Sequence, residues 1–263
     1  MYPSDEQLVV VGTGLRTTGQ LTTEAAAWIK RADRVLYVIT DPVAETITRS
    51  MNPRCESLAN LYSSDKNRMR TYDAMVERVL EVVRSGAVTC FAAYGHPGIF
   101  AYPTHEAIRR AKREGFNARM LPGISAEDCL FADLAIDPAS CGCSSFEASD
   151  FLLNRRIHDP TSHLVLWQIG VLGEPKGLLN KAKPRGLPLL VDKLKASYPQ
   201  DHPVKLYLAP MFPAMDAQIT TIPLRELTTA EFSVMTTLYI PPHGTPDTNW
   251  QLVEEFGFDV QSG

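Results

Sequence analysis

The stretch Val88-Thr89-Cys90-Phe91-Ala92-Ala93-Tyr94-Gly95-His96-Pro97-Gly98-Ile99-Phe100 decides the reading of the fold. Its apolar run from Val88 to Ala93 is short and bounded, which suits a central strand of a parallel sheet covered on both faces. Gly95, Pro97 and Gly98 then interrupt the strand. Thr104 stands where it can N-cap a helix running to about Glu114. In an open α/β sheet, ligands sit beyond the carboxyl ends of the strands. Tyr94, His96 and Phe100 therefore fall where a ligand belongs. On these residues alone, a structural turn with a buried aromatic is the alternative.

Upstream, Tyr72, Met75, Val76, Val79, Leu80 and Val83 form an i, i+3/i+4, i+7 stripe. This predicts an amphipathic helix with Ser64 or Asp65 as its N-cap and Gly86 as its stop. Leu8 to Val11 reads as a buried strand that turns out through Gly12-Thr13-Gly14. The third glycine of a dinucleotide fingerprint would fall at Thr17, so that motif fails. A helix over 22–31, capped by Thr22 or Thr23, precedes a strand over 34–39. Asp41 stands where a ribose-binding acid could stand, although an aspartate before proline is first of all a turn residue.

Downstream, 118–121 reads as a strand. Ser125 caps a helix to about Ala135 whose free N–H groups suit an anion. Strand and helix alternate to this point, hence a mostly parallel sheet. From Pro138 the texture changes. Strands over 163–169, 205–209, 218–222 and 234–240 surround one helix over 187–198, which suggests an α+β second domain. The expected domains are 1–137 and 138–263, and the last residues, 249–263, read as a short amphipathic piece.

Composition narrows the function classes. The 263 residues are 44% hydrophobic and 21% charged, ordinary for a globular protein. A formal net charge of -4 argues against a general affinity for nucleic acid. The opening residues lack a positive n-region before a long apolar run, so no signal peptide is expected. No stretch approaches the roughly 18 apolar residues of a membrane span. Five scattered cysteines, with Cys141 and Cys143 as the one close pair, lack metal-ligand spacing, so no metal site is expected. Reduced thiols point to a cytoplasmic enzyme.

Several separated pieces then point the same way: Val9-Val10-Val11-Gly12-Thr13-Gly14 with Gly19-Gln20-Leu21, Ala32 to Tyr37, Tyr94 to Phe100, and Pro122-Gly123-Ile124-Ser125-Ala126. Together they resemble the tetrapyrrole methylase superfamily. The resemblance implies a two-domain, non-Rossmann α/β fold with a cofactor cleft between the domains, and S-adenosyl-L-methionine as methyl donor, leaving S-adenosyl-L-homocysteine. Porphyrin- and corrin-methylating members carry a proline-glycine-aspartate-proline run after the first glycine pair. Here Leu15-Arg16-Thr17-Thr18-Gly19 stands instead, which speaks against a tetrapyrrole substrate.

Leu61-Tyr62, Lys66-Asn67-Arg68, Thr71-Tyr72, Ser145 to Ser149, Leu166 to Ile169 and Ile240-Pro241-Pro242 bring the chain closer to the borosin peptide α-N-methyltransferases of that superfamily. In that family a tyrosine, an arginine six on and a tyrosine four further serve the chemistry. Here that spacing falls on Tyr62, Arg68 and Tyr72. Ala59 stands where some members show one more tyrosine. The chain ends soon after its second domain, so the resemblance is to the split type, which acts on a separate precursor peptide. Family members form homodimers, so a homodimer is expected on the same ground.

A backbone amide nitrogen is a poor nucleophile because its lone pair is delocalised into the carbonyl. Methylation needs a base for the N–H proton and a charge to stabilise the imidate oxygen. Arg68 and Tyr72 are four apart and share a helix face, whereas Arg70 points about 200 degrees away from Arg68. Tyr72, with Tyr62, is assigned the proton, and Arg68 the phenolate and the substrate carbonyl. A core tyrosine and a solvated arginine are the structural alternatives. By resemblance, Tyr94, His96, Ile99 and Phe100 line the methionine side of the cofactor, and Ser125 and Ala126 offer backbone groups. Gln168, Ala209, Thr236 and Thr237 close over the adenosine. A small-molecule methyltransferase of the same superfamily and a catalytically idle peptide-binding module are the competing readings.

Overall fold

The computed structural model describes residues 5–39, 41–62, 68–173, 185–210, 212, 215–231 and 233–258. They form two compact units. One runs up to Ile136 and includes Leu208–Gln218; the other comprises Asp137–Tyr207 and the chain from Ile219 onward.

In the first unit the elements are β1 (Leu8–Gly12), α1 (Thr17–Gln20), α2 (Thr23–Arg31), β2 (Arg34–Val38), α3 (Pro42–Met51), β3 (Cys55–Ser57), α4 (Arg68–Arg84), β4 (Thr89–Ala93), α5 (Tyr102–Arg113), β5 (Ala118–Met120) and α6 (Ala126–Leu134). The strands make one sheet in the order β3-β2-β4-β1-β5, and every pair is parallel. Leu8 and Val10 of β1 pack with Met75 and Val79 of α4 and Ala107 of α5. Val9 and Val11 pack with Trp28 and Ile29 of α2 and Ala44 of α3. Helices thus cover both faces, which is why the strands are unbroken apolar runs rather than alternating ones. From β1 the chain crosses to β2 on one side, and from β4 it crosses to β5 on the other. The crevice between the carboxyl ends of β1 and β4 is therefore the topological switch point, where such sheets bind ligands.

Several local expectations change. The Asp41 carboxylate caps α3, accepting the N–H groups of Val43 at 3.0 Å and Ala44 at 3.1 Å. It is a helix cap rather than a ribose ligand, and the helix it starts had been hidden behind an apparent Asp-Pro turn. Thr104 is not the cap of α5. That helix begins at Tyr102, with Ala101 at the N-cap and Pro103 in the first turn, where the fixed proline φ suits helix entry. The Thr104 hydroxyl instead donates to the Pro97 carbonyl. Ser64 and Asp65, the expected caps of α4, lie outside the described residues.

The second unit holds β6 (Cys143–Glu147), α7 (Ala148–Leu153), β7 (His163–Trp167), α8 (Leu187–Leu194), β8 (Pro203–Leu208), β9 (Gln218–Pro223), β10 (Thr237–Ile240) and α9 (Trp250–Phe256). Its sheet has the order β6-β7-β10-β8-β9. β6 and β7 are parallel, while β10 is antiparallel to both β7 and β8. Phe151, Leu190 and Leu194 pack against Leu164, Leu166, Leu238 and Ile240 to make its core. The strand expected over 163–169 stops at Trp167 because Gln168 adopts a left-handed backbone, φ 60. The strand expected from Val234 begins only at Thr237, and α8 ends at Leu194 rather than near Tyr198. Among the described residues, no helix is long and apolar enough to cross a membrane.

Candidate active site

The loops leaving β1 and β4 meet at the switch point. The Thr13 N–H donates to the Ala93 carbonyl at 2.9 Å, and Gly14 and Gly95 exchange N–H···O bonds at 3.2 and 3.0 Å. A Cβ on Gly12 would stand 2.3 Å from the Gly95 carbonyl oxygen, so only glycine allows this approach. Gly95 has φ +71, a conformation side chains resist. The Gln20 side-chain oxygen accepts the N–H groups of Leu15 at 2.8 Å and Arg16 at 2.9 Å, and its amide reaches Cys129 Sγ at 3.2 Å. This ties the first loop to α6.

The β4 loop is held equally firmly. His96 Nδ1 accepts the Gly98 N–H at 2.9 Å. That bond places the proton of a neutral ring on Nε2, leaving it as a donor. His105 Nε2 lies 2.8 Å from the Gly98 carbonyl, and the Thr104 hydroxyl anchors Pro97. Between these anchors Phe100 takes φ 50 and stays 55% exposed, with Ile99 also exposed. A left-handed phenylalanine costs on the order of 1 kcal/mol. Tyr94 is partly buried, and its phenol is pushed up chiefly by burial.

Ser125 opens α6 in a capping box. Its hydroxyl accepts the N–H groups of Glu127 and Asp128, both at 3.2 Å, and its own N–H donates to the Asp128 carboxylate at 2.7 Å. The donors of Ser125 are thus committed within the helix start. The Ala126 N–H, at the first helical position, has no partner among the described residues. It faces the end of the helix that favours negative charge.

The expected acceptor-side residues surround the start of α4. Tyr62 follows a short 3-10 turn over Ala59–Leu61, and its N–H bonds the Ala59 carbonyl at 3.1 Å. The structure brings its ring to Tyr72 edge-on, with centroids 6.5 Å apart and planes at 84°. Tyr72 leans against the core shared by α4 and α5. Arg68 is the first residue of α4, and its side chain lies outside the described residues. Tyr102 was not anticipated. It stacks on Tyr72, with centroids 6.0 Å apart and planes at 27°. Sequence offered only a weak signal for it, an aromatic just after the loop at a helix start.

The remaining expected residues lie at one end of the second unit's sheet. Gln168 follows β7 and Thr237 opens β10. β10 pairs antiparallel with β7, Leu238 opposite Leu166, so the start of β10 and the end of β7 lie at the same end of the sheet. Thr236 Oγ1 accepts the Ser233 N–H at 3.0 Å. Ala209 directly follows β8 and groups with the first unit.

Two other features compete for attention. A cavity of about 620 Å³ lined by Glu6, Lys112, Asn117 and Arg119 sits at the amino end of the parallel sheet, the wrong end for a ligand in this architecture. The second unit carries a ring cluster of His158, Tyr198, His202 and His243. Among the described residues no group of three or more histidine, cysteine or acidic side chains is placed to hold a metal.

Comparisons with known proteins complete the picture. The family described as Tetrapyrrole (Corrin/Porphyrin) Methylases matches residues 7–207. A methyltransferase/ribosomally synthesized cyclic peptide dendrothelin A precursor from Dendrothele bispora is 40% identical over 255 residues, covering 95% of this chain and 61% of that protein. The corresponding omphalotin A precursor from Omphalotus olearius is 41% identical over 250 residues, covering 94% and 60%. A type III borosin cyclic peptide precursor of Anomoporia bombycina, also named a methyltransferase, is 40% identical over 240 residues, covering 90% and 28%. Among solved structures, uroporphyrin-III-C-methyltransferase from Thermus thermophilus superposes with a TM-score of 0.63 at 16% identity, covering 90% of this chain and 93% of that one. A cobalt precorrin-4 methyltransferase superposes with a TM-score of 0.65 at 15% identity, covering 92% and 98%. At such identities the likeness speaks to fold alone. The chain spans about three fifths of the length of the Dendrothele and Omphalotus relatives.

Proposed function

This chain belongs to the tetrapyrrole (corrin/porphyrin) methylase family, and on that premise we propose that it is an S-adenosylmethionine-dependent methyltransferase. In this reading it N-methylates backbone amides of a ribosomal precursor peptide supplied as a separate chain. The observation that carries the reading is the meeting of the Tyr62 and Tyr72 rings beside the start of α4. The relatives add support, since their names join a methyltransferase to a cyclic-peptide precursor.

The described residues suit the cofactor. The Ala126 N–H at the start of α6, which has no partner among the described residues, suits a carboxylate. The Nε2–H of His96 offers a second donor, and exposed Ile99 and Phe100 offer apolar contact for a thioether side. Gln168, Ala209, Thr236 and Thr237 are assigned to the adenosine. When bound, the cofactor supplies an electrophilic methyl group on a sulfonium.

The chain's own residues then handle the acceptor. Tyr72, with Tyr62 beside it, would take the amide proton, freeing the amide nitrogen to accept the methyl group that bound S-adenosylmethionine would supply, with S-adenosylhomocysteine as the coproduct. Arg68 holds the phenolate and the carbonyl oxygen on which charge develops, so that general-base and electrostatic catalysis act together. Placement of the amide in line with the methyl is the remaining contribution of the site.

A cytoplasmic homodimer belongs to the same proposal. The scattered cysteines, whose spacing suggests no disulfide framework, agree with a reducing compartment. The exposed Trp250, Leu252 and Phe256 of α9 are apolar surface that a second copy would cover. Calorimetric titration with S-adenosylmethionine, followed by methyl-transfer assays on a peptide and on a porphyrinoid, tests the function. Cofactor binding with peptide methylation supports it. Absence of binding, or methylation of the porphyrinoid alone, contradicts it.

A further inference from the structure

We infer that Tyr102 is a positioning residue for the reaction, holding the ring of Tyr72 and linking it to the loop that follows β4. The inference rests on the proposed function and adds to it a residue outside the α4 constellation.

The geometry begins with the two helices. α4 and α5 share one core on the same face of the sheet. Arg110 of α5 donates to Asp73 of α4 at 2.7 Å, and Glu106 holds both Arg109 and Arg110. The Glu106 carboxyl is held down to about 2 by those guanidinium groups, so it remains a charged anchor. Asp73 is the neighbour of Tyr72, and Arg110 is two turns along α5 from Tyr102. The scaffold beneath the Tyr72–Tyr102 stack is therefore fixed before the rings meet.

The Tyr102 ring is not needed to fill the core, since the residue remains 40% exposed. Nor does the residue before it cap the helix, because Ala101 makes no side-chain cap bond. The Tyr102 ring stacks on that of Tyr72, at 6.0 Å and 27°. With Tyr62 edge-on at 6.5 Å, Tyr72 has an aromatic neighbour from each of two other segments. Stacked and edge-to-face pairs are geometrically selective, so the two contacts together restrict the tilt of the Tyr72 ring and where its phenol oxygen points.

Tyr102 is also joined to the β4 loop. It lies between Phe100, with its left-handed backbone, and the pair Thr104 and His105, which bind the carbonyls of Pro97 and Gly98. A shift of the Tyr94–Phe100 loop carries the first turn of α5 with it, and that turn carries the ring stacked on Tyr72. Tyr102 thereby relays the state of the loop assigned to the methyl donor to the residue assigned to the acceptor proton.

The test compares Tyr102→Leu with Tyr102→Phe, each carrying 3-fluorotyrosine at position 72. The probe ligand is S-adenosylhomocysteine. The probe substrate is the portion of the Omphalotus olearius relative that this chain does not match, supplied as a separate peptide. Removing the stack should lower kcat about threefold to tenfold, the rate equivalent of one aromatic pair. KM for the peptide and the Kd for S-adenosylhomocysteine should not change. The fluorine line of residue 72 should move and broaden, and its response to S-adenosylhomocysteine should shrink. Tyr102→Phe keeps the ring and should restore the rate and the fluorine response. An unmoved fluorine line in Tyr102→Leu, an unchanged kcat, or equal loss in both variants overturns the inference. A parallel fall in cofactor affinity also overturns it, because the role would then be binding. If the parent chain methylates no peptide although the fluorine line responds to Tyr102→Leu, the proposed function fails, and the positioning role falls with it.

Discussion

The ring of Tyr62, which follows a short 3-10 turn, meets the ring of Tyr72 edge-on, centroids 6.5 Å apart, although the start of α4 lies between them along the chain. The first prediction follows from that pair. Tyr72→Phe preserves the ring contacts and removes the phenol oxygen. It should reduce methyl transfer by about a hundredfold or more, the usual loss when a general base is removed, while calorimetry shows cofactor binding intact. Arg68→Ala should do the same. Normal turnover by either variant removes that residue from the chemistry.

Gly12→Ala tests the close approach at the switch point. The added Cβ would meet the Gly95 carbonyl oxygen at 2.3 Å and Pro97 Cδ at 2.7 Å. Backbone cannot yield as a flexible side chain can, so the variant should lose about 2 kcal/mol or more of stability. Urea unfolding measures the loss. Cofactor affinity should fall as well, since the two loops can no longer meet.

Ser125→Ala removes the hydroxyl that accepts the N–H groups of Glu127 and Asp128. A lost N-cap costs about 1 kcal/mol, again read from urea unfolding. The Ala126 N–H does not depend on the Ser125 hydroxyl, so cofactor affinity should fall much less than stability does. A large loss of affinity with little loss of stability would make Ser125 a direct ligand instead.

Acid should weaken the second unit first. His158 and His202 are held below the ordinary histidine value chiefly by burial, with Lys193 adding to the effect on His158 and His243 to that on His202. Asp159 and the Pro241 carbonyl oppose it in part. A histidine with a depressed folded pKa binds its proton more readily in the unfolded chain. The stability that both histidines contribute while neutral is therefore fully present above about pH 6.5, the unfolded value. It is lost as the pH falls below that value toward each depressed folded pKa. Urea midpoints should be lower at about pH 5.5 than above neutrality, and His158→Phe should flatten that slope. An equal slope in the variant removes His158 from the explanation.

Much of the first unit was legible because buried parallel strands are unbroken apolar runs, as Leu8 to Val11 and Val88 to Ala93 are. β3 was not, because Cys55-Glu56-Ser57 is short and polar. What holds it in place is tertiary: Glu56 accepts from Arg34 of β2 and Arg78 of α4. β6, Cys143 to Glu147, hid for a similar reason, with no fully buried residue. α3 hid because Asp-Pro is both a turn signal and a helix start, and only the two bonds made by Asp41 distinguish them. The β4 loop could be read from its position after a buried strand. The Tyr62, Arg68 and Tyr72 assignment came from family resemblance, since spacing alone gives a core tyrosine equal standing. Tyr102 left only a weak signal in the sequence, because its partner is set by the packing of α4 on α5.

The most direct measurement is intact-mass analysis of the purified chain mixed with S-adenosylmethionine and, as a separate peptide, the unmatched portion of the Omphalotus olearius relative. Successive increments of one methyl group on the peptide, abolished by Tyr72→Phe, with the mass of the chain itself unchanged, are the expected result. A peptide that stays unmodified while the chain demonstrably binds the cofactor would contradict backbone N-methylation of a separate precursor.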